Sequence, residues 1–126
     1  MIEQSGAPGD SRAFGIEERQ VDRAVVLTVS GEVDMLTAPQ LEAAIDTALA
    51  AKPLTLIVDL SKVEFLASAG ISVLVAAHAE ALPQTRFAVV ADAAATSRPI
   101  KLMGIDTVVP LYRKLDSALS GITDDA

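Results

Sequence analysis

The segment Leu54-Thr55-Leu56-Ile57-Val58-Asp59-Leu60 is a nearly unbroken apolar run. A strand with one wet face alternates apolar and polar residues. An uninterrupted run therefore belongs to a strand covered on both faces, as in a parallel sheet flanked by helices. Parallel neighbours need crossover connections, and the chain supplies candidates on both sides of this run. Val25-Val26-Leu27-Thr28-Val29 is rich in β-branched residues and leads to Ser30-Gly31, a strand followed by a turn. Ala13-Phe14-Gly15-Ile16-Glu17 is a weaker strand before it, with Asp22-Arg23 placed to close a hairpin.

Helices alternate with these strands. Thr37 reads as an N-cap, with Gln40 completing a capping-box pattern and Pro39 in the first turn. Leu41, Ala44, Ile45, Ala48 and Leu49 then share a face, and Lys52-Pro53 stops the helix. A second helix is expected from Ser68 to Leu82, before Pro83, with Ile71, Leu74, Val75 and Leu82 on one side. Arg86-Phe87-Ala88-Val89-Val90 is another strand. Ser97 reads as the cap of a third helix with Pro99 in its first turn and Gly104 at its end. Thr107-Val108-Val109-Pro110 reads as a short final strand. A last helix is expected from Arg113 to Ser120, ended by Gly121, with Leu115, Ala118 and Leu119 inward. The order is ββαβαβαβα. It predicts a single α/β domain with a mixed sheet of about five strands and four helices.

A chain of 126 residues suits one domain, and a hydrophobic share of 51% is enough for a core. Residues 1–12 read as a flexible arm, 13–122 as the domain and 123–126 as a tail. The N-terminus has neither a basic start nor an apolar run, and no stretch approaches the ~20 apolar residues of a spanning helix. The expectation is a soluble cytoplasmic protein. Ten basic residues stand against 17 acidic ones, for a net charge of −7. That sign is wrong for a phosphate-backbone binder and for an anionic membrane surface. Aromatics at 3% leave few platforms for stacking bases. No cysteine and one histidine argue against a disulfide, a thiolate nucleophile or a zinc site, and no cofactor is expected.

The stretch with most to say is Phe65-Leu66-Ala67-Ser68-Ala69-Gly70-Ile71, which joins a buried strand to a helix through small residues. Ser68 reads as a helix cap with its hydroxyl at a surface where free N–H groups point outward. An anion is favoured there, and phosphorylation adds roughly −1.5 to −2 charge. Ala67, Ala69 and Gly70 leave the approach open to a large partner. The plain alternative is an N-cap worth ~1 kcal/mol and nothing more. A catalytic nucleophile fits poorly, because Ala67-Ser68-Ala69-Gly70 is not a G-x-S-x-G turn and His78 is the one candidate base.

In these features the chain resembles the STAS domain family, and within it the bacterial anti-sigma factor antagonists. Gly31-Glu32-Val33-Asp34 followed by Ala38-Pro39 and a helix resembles the family's Gly-acid-aliphatic-Asp loop. Leu56-Ile57-Val58-Asp59-Leu60-Ser61 and Val63-Glu64-Phe65-Leu66 resemble its central strand and the segment after it. Ala67-Ser68-Ala69-Gly70 falls where the family has Asp-Ser-Ser/Thr-Gly, its phosphoacceptor turn. The likeness spans roughly residues 13 to 120. It implies a non-enzymatic regulator with Ser68 as phosphoacceptor and Glu32, Asp34, Ala67, Ala69 and Gly70 on the partner-facing surface. The implied partner is an anti-sigma factor, a serine kinase with an ATP-binding fold, bound when Ser68 is unphosphorylated. Binding frees a sigma factor, phosphorylation ends the binding, and a phosphatase resets the cycle. Two departures stand out: the family's Asp before the serine is Ala67, and its second hydroxyl residue is Ala69.

Other residues have simpler readings beside these. Glu32 and Asp34 also suit ordinary pre-helix chemistry. Ser61 reads as a turn residue or a second phosphosite, and Ser72 as an early helix position. His78 lies near the apolar face of its helix, Leu102 and Met103 at a core or rim position, and Asp59, Asp92 and Asp106 at turns and caps. Two rival functions remain: a STAS module that senses a nucleotide or another small ligand, and a small hydrolase using Ser68 and His78.

Overall fold

The hairpin expected at Asp22-Arg23 opens the sheet. β1 (Gly15–Val21) runs antiparallel to β2 (Ala24–Val33), with Asp22 at φ 56° in the left-handed region a two-residue turn requires. The computed structural model describes residues 14–125; the arm expected over 1–12 and the terminal Ala126 lie outside them. After β2 come α1 (Ala38–Ala50), β3 (Thr55–Leu66), α2 (Ser68–Ala81), β4 (Arg86–Val90), α3 (Ala94–Leu102), a 3-10 turn (Ile105–Thr107), β5 (Leu111–Tyr112) and α4 (Leu115–Asp125). The five strands lie side by side in chain order, and every pair after the first is parallel. The predicted order ββαβαβαβα is the observed one.

The apolar run in β3 has the double burial that its composition demanded. Alternate residues of a strand point to opposite faces. Leu56, Val58 and Leu60, with Val25, Leu27 and Val29 of β2, pack against Leu41 and Ile45 of α1, Ile71 and Leu74 of α2 and Ile100 of α3. Ile57, with Ala24, Val26, Ala88 and Val90, faces the other way, where Ala118, Leu115 and Leu119 of α4 cover it. Each fully buried Leu, Ile or Val contributes roughly 1.5–3 kcal/mol relative to exposure.

Several element ends differ from the sequence reading. β2 does not stop at Ser30-Gly31 but runs on to Val33, through Gly31 at φ 90°, a conformation glycine adopts without steric penalty. β3 likewise extends past Leu60 to Leu66. Thr28 pairs with Asp59 and Ser30 with Lys62, so β3 carries an extra residue there. The buried Asp59 serves this bulge by accepting the Ser61 N–H at 3.0 Å. Ser61 is therefore an exposed strand residue, not a turn. α3 starts at Ala94, ahead of Ser97, whose hydroxyl bonds back to the Ala93 carbonyl at 3.1 Å instead of capping. The strand expected at 107–110 is replaced by the 3-10 turn and two later residues. Gly104, at φ 71°, ends α3 as predicted. α4 continues through Gly121 to Asp125.

Both borders of the sheet are unobtrusive. β1 exposes Glu17, Glu18, Arg19 and Gln20, and β5 is only two residues long. Among the described residues, no helix is long and apolar enough to cross a membrane.

Candidate functional site

β2 and β3 end level with each other, Val33 opposite Leu66, and each hands the chain to a helix at the same end of the sheet. The Ala67 N–H donates to the Val33 carbonyl at 2.8 Å, which ties the two exits together. Gly70 tightens the joint. A Cβ at this position would sit 2.5 Å from Val33 Cγ1 and 2.8 Å from Leu66 Cδ1, inside van der Waals contact. Gly70 is buried, so its smallness serves the inner packing of α2 rather than the outward approach expected of it.

Ser68 is the first residue of α2, and the N-cap is Ala67, extended at φ −83° and ψ 168°. The expectation that Ser68 caps this helix is thereby corrected: the cap residue has no side chain able to do so. The amides of Gly70 and Ile71 reach the Ala67 carbonyl at 3.0 and 3.2 Å. Those of Ser68 and Ala69 have no acceptor among the described residues, and the Ser68 hydroxyl has no hydrogen-bond partner there. Ser68 is exposed, with Ala67 and Ala69 half-buried on either side. A free hydroxyl thus stands beside two unspent N–H donors at the positive end of a 14-residue helix. Ala67→Asp is expected to stabilise the protein by about 1 kcal/mol by supplying the absent cap, read as a higher midpoint in urea unfolding.

The neighbouring exit is locked by one carboxylate and one hydroxyl. Asp34 Oδ1 accepts the N–H groups of Leu36 at 2.9 Å and Thr37 at 3.0 Å. The Thr37 hydroxyl donates to the Glu32 carbonyl at 2.8 Å, lies 3.2 Å from Asp34 Oδ1, and accepts the Asp34 N–H at 2.9 Å. Thr37 is the N-cap residue of α1, but its oxygen faces back into the loop; the capping box predicted with Gln40 does not form. The Thr37 amide, and after it the Leu36 amide and the Thr37 hydroxyl, hold the Asp34 carboxyl below its ordinary range against a smaller opposing effect of desolvation. The folded-state pKa is depressed. The resulting stabilisation is present above the ordinary carboxylate value, about 3.9, and is lost as pH falls through the depressed value. A carbon-13 carboxyl titration is expected to place the Asp34 midpoint below that of an aspartate in the unfolded chain.

This loop presents two residues that the sequence reading passed over. Met35 and Leu36 are 78% and 84% exposed, and Phe65, in register with Glu32 on the adjacent strand, is 49% exposed. The available signal was an apolar pair between turn-forming Asp34 and Thr37, outside any helical or strand period.

Of the remaining candidates, Glu32 adjoins the Asp34 loop and Ser72 lies one turn of α2 after Ser68, while the others lie apart. Glu32 is a half-buried strand residue, and Ser72 is exposed on α2. His78 is half-buried, its ring 6.1 Å from that of Phe87. Ten residues of helix separate it from Ser68, about 15 Å, so the two do not form a nucleophile–base pair. Asp92 meets Arg113 at 3.5 Å on the surface, and Asp106 is exposed. Leu102 and Met103 are exposed, not core. Among the described residues, no group of three or more His, Asp or Glu is placed to hold a metal ion.

The chain is similar to known proteins in sequence and in fold. The anti-sigma-F factor antagonist RsfB of Mycobacterium tuberculosis is 43% identical over 97 residues, covering 77% of this chain and 80% of RsfB. An anti-sigma factor antagonist from Mycobacterium paratuberculosis superimposes with a TM-score of 0.86 at 44% identity, over 89% of this chain and 96% of that one. The Bacillus cell fate determinant SpoIIAA, solved in its phosphorylated form, shares the fold at 20% identity, with a TM-score of 0.63 over 87% of this chain and 99% of that one. The family model described as Mlab, STAS domain, matches residues 16–112. With that match over most of its length, the chain belongs to the STAS domain family.

Proposed function

We propose that this protein is an anti-sigma factor antagonist whose target is a serine-kinase anti-sigma factor with an ATP-binding fold. Unphosphorylated, it docks in the cytoplasm through the end of the sheet that carries Ser68, with Glu32, Asp34, Ala67 and Ala69 in the docking region and Gly70 beneath it. Docking withdraws the anti-sigma factor from a sigma factor, and transcription changes. The kinase then transfers the γ-phosphoryl group of ATP to Ser68 Oγ. A new O–P bond forms, the bond to ADP breaks and the hydroxyl proton leaves. The phosphorylated protein is released, and a phosphatase returns Ser68 to its hydroxyl form. In this cycle the protein is substrate and ligand, not catalyst.

The observation that carries the reading is the exposed Ser68 hydroxyl, without a partner among the described residues, beside the unsatisfied amides of Ser68 and Ala69. A phosphate there gains donors and the helix dipole without any rearrangement of the fold. The name of the 43%-identical relative, an anti-sigma-F factor antagonist, supports the class of partner. The phosphorylated form of SpoIIAA is in keeping with a modification on this fold. Ala67 in place of the family's Asp removes a charge beside the acceptor, and the kinase must recognise the turn without it.

The test has two stages. Ser68→Ala used as bait is expected to retain a kinase-like anti-sigma factor, identified by mass spectrometry. That factor, purified and supplied with ATP, is expected to phosphorylate the wild type at Ser68. Phosphate found at Ser61 or Ser72 instead, or no transfer at all, overturns the switch.

A further inference from the structure

With Leu102, Met35 and Leu36 are the most exposed large apolar side chains among the described residues, and these two are consecutive. Apolar residues on a slack loop fold back onto the nearest surface. Here the loop is not slack: Asp34 Oδ1 holds the amides of Leu36 and Thr37, and the Thr37 hydroxyl binds Glu32 and Asp34. The loop that carries the exposed pair is held by the Asp34 and Thr37 side chains, a pre-organised arrangement that reduces the ordering cost of binding. Its position relative to Ser68 is fixed as well, through the Ala67–Val33 hydrogen bond and the close approach of Gly70 to Val33.

We propose that Met35 and Leu36 form the apolar anchor by which this protein grips the anti-sigma factor that reads Ser68, the two side chains entering an apolar cleft of that factor. The inference rests on the function proposed above. Continuity with the Ser68 turn favours one partner touching both. A second copy of this chain is disfavoured, because it would bring another net −7 to a chain that already carries −7. Anchor and switch then differ in their physics: the anchor acts through burial of apolar area, which salt does not screen, and the switch through desolvation and repulsion of a charge, of which salt screens the repulsion.

The experiment is calorimetric titration of the purified anti-sigma factor with the wild type, the double variant Met35→Ala/Leu36→Ala, and Ser68→Glu, at about 50 mM and about 500 mM NaCl. The double variant is expected to bind about 100-fold more weakly at both salt concentrations, with an unchanged thermal midpoint because both side chains are exposed. The loss for Ser68→Glu is expected to shrink at the higher salt. If the double variant binds as the wild type does while Ser68→Glu is released, the anchor is wrong and the proposed function stands. If the wild type does not bind, both fall. A wild type that is dimeric by sedimentation, with a monomeric double variant, overturns the anchor in favour of a second copy.

Discussion

Ser68→Glu is expected to weaken binding to the anti-sigma factor by about a hundredfold or more, while Ser68→Ala binds as the wild type does. The difference follows from where the side chain stands. A neutral hydroxyl, or no hydroxyl, on a turn flanked by Ala67 and Ala69 loses little when a partner covers it. A carboxylate or phosphate covered in the same way must shed its water, and a penalty of about 3 kcal/mol already exceeds a hundredfold in affinity. The negative balance of the whole chain adds repulsion wherever the partner's nucleotide or acidic groups come close. Unfolding is not the cause, because an acidic residue at the first position of a helix is favoured by the dipole. The thermal midpoint of Ser68→Glu should therefore equal or exceed that of the wild type. Calorimetric titration of the three proteins decides the matter, and equal affinities remove the switch.

Gly70→Ala is expected to destabilise the fold by about 1–3 kcal/mol even though alanine is the better helix former. The gain in helix propensity is ~1 kcal/mol. Against it stands a methyl group placed 2.5 Å from Val33 Cγ1 and 2.8 Å from Leu66 Cδ1. Val33 is fully buried and β-branched, so it has little freedom to turn aside. Relief requires α2 to move away from β2 and β3, which also strains the Ala67–Val33 hydrogen bond beside Ser68. Urea unfolding measures the loss. Val33→Ala introduced with Gly70→Ala should recover a substantial part of it, because the new methyl fills the space the valine leaves. A strictly additive pair of losses would show that the crowding at Val33 is not the cause.

The layered architecture was legible because periodicity carries it. The double-faced run at 54–60 required a parallel central strand, and the spacing in α1 marked its inward face. In α2 Ile71 and Leu74 are buried and Val75 partly so, but Leu82, expected on the same side, lies past the end of the helix and is exposed. Local punctuation misled where tertiary contacts outweighed it. Gly31 reads as a turn, yet here its positive φ lets β2 pass a register shift. Gly121 reads as a helix end, yet a Cβ there would lie 2.7 Å from the Tyr112 hydroxyl, so glycine admits the ring and α4 continues. Ser68 was found because small residues crowd one turn. Its actual place at the first helical position, rather than at the cap, depends on the backbone of Ala67. Met35 and Leu36 carried no periodic signal, since what sets them apart is exposure, which only the fold assigns.

The sheet's borders bear on how any partner can be recognised. A charged outer strand on one side and a two-residue strand on the other are poor templates for adding a further strand. Recognition by backbone zippering is thereby discouraged, for a foreign peptide and for a sister molecule alike. Contact is channelled to side chains at the tips of the connections, a small area well suited to a grip that one modification can undo.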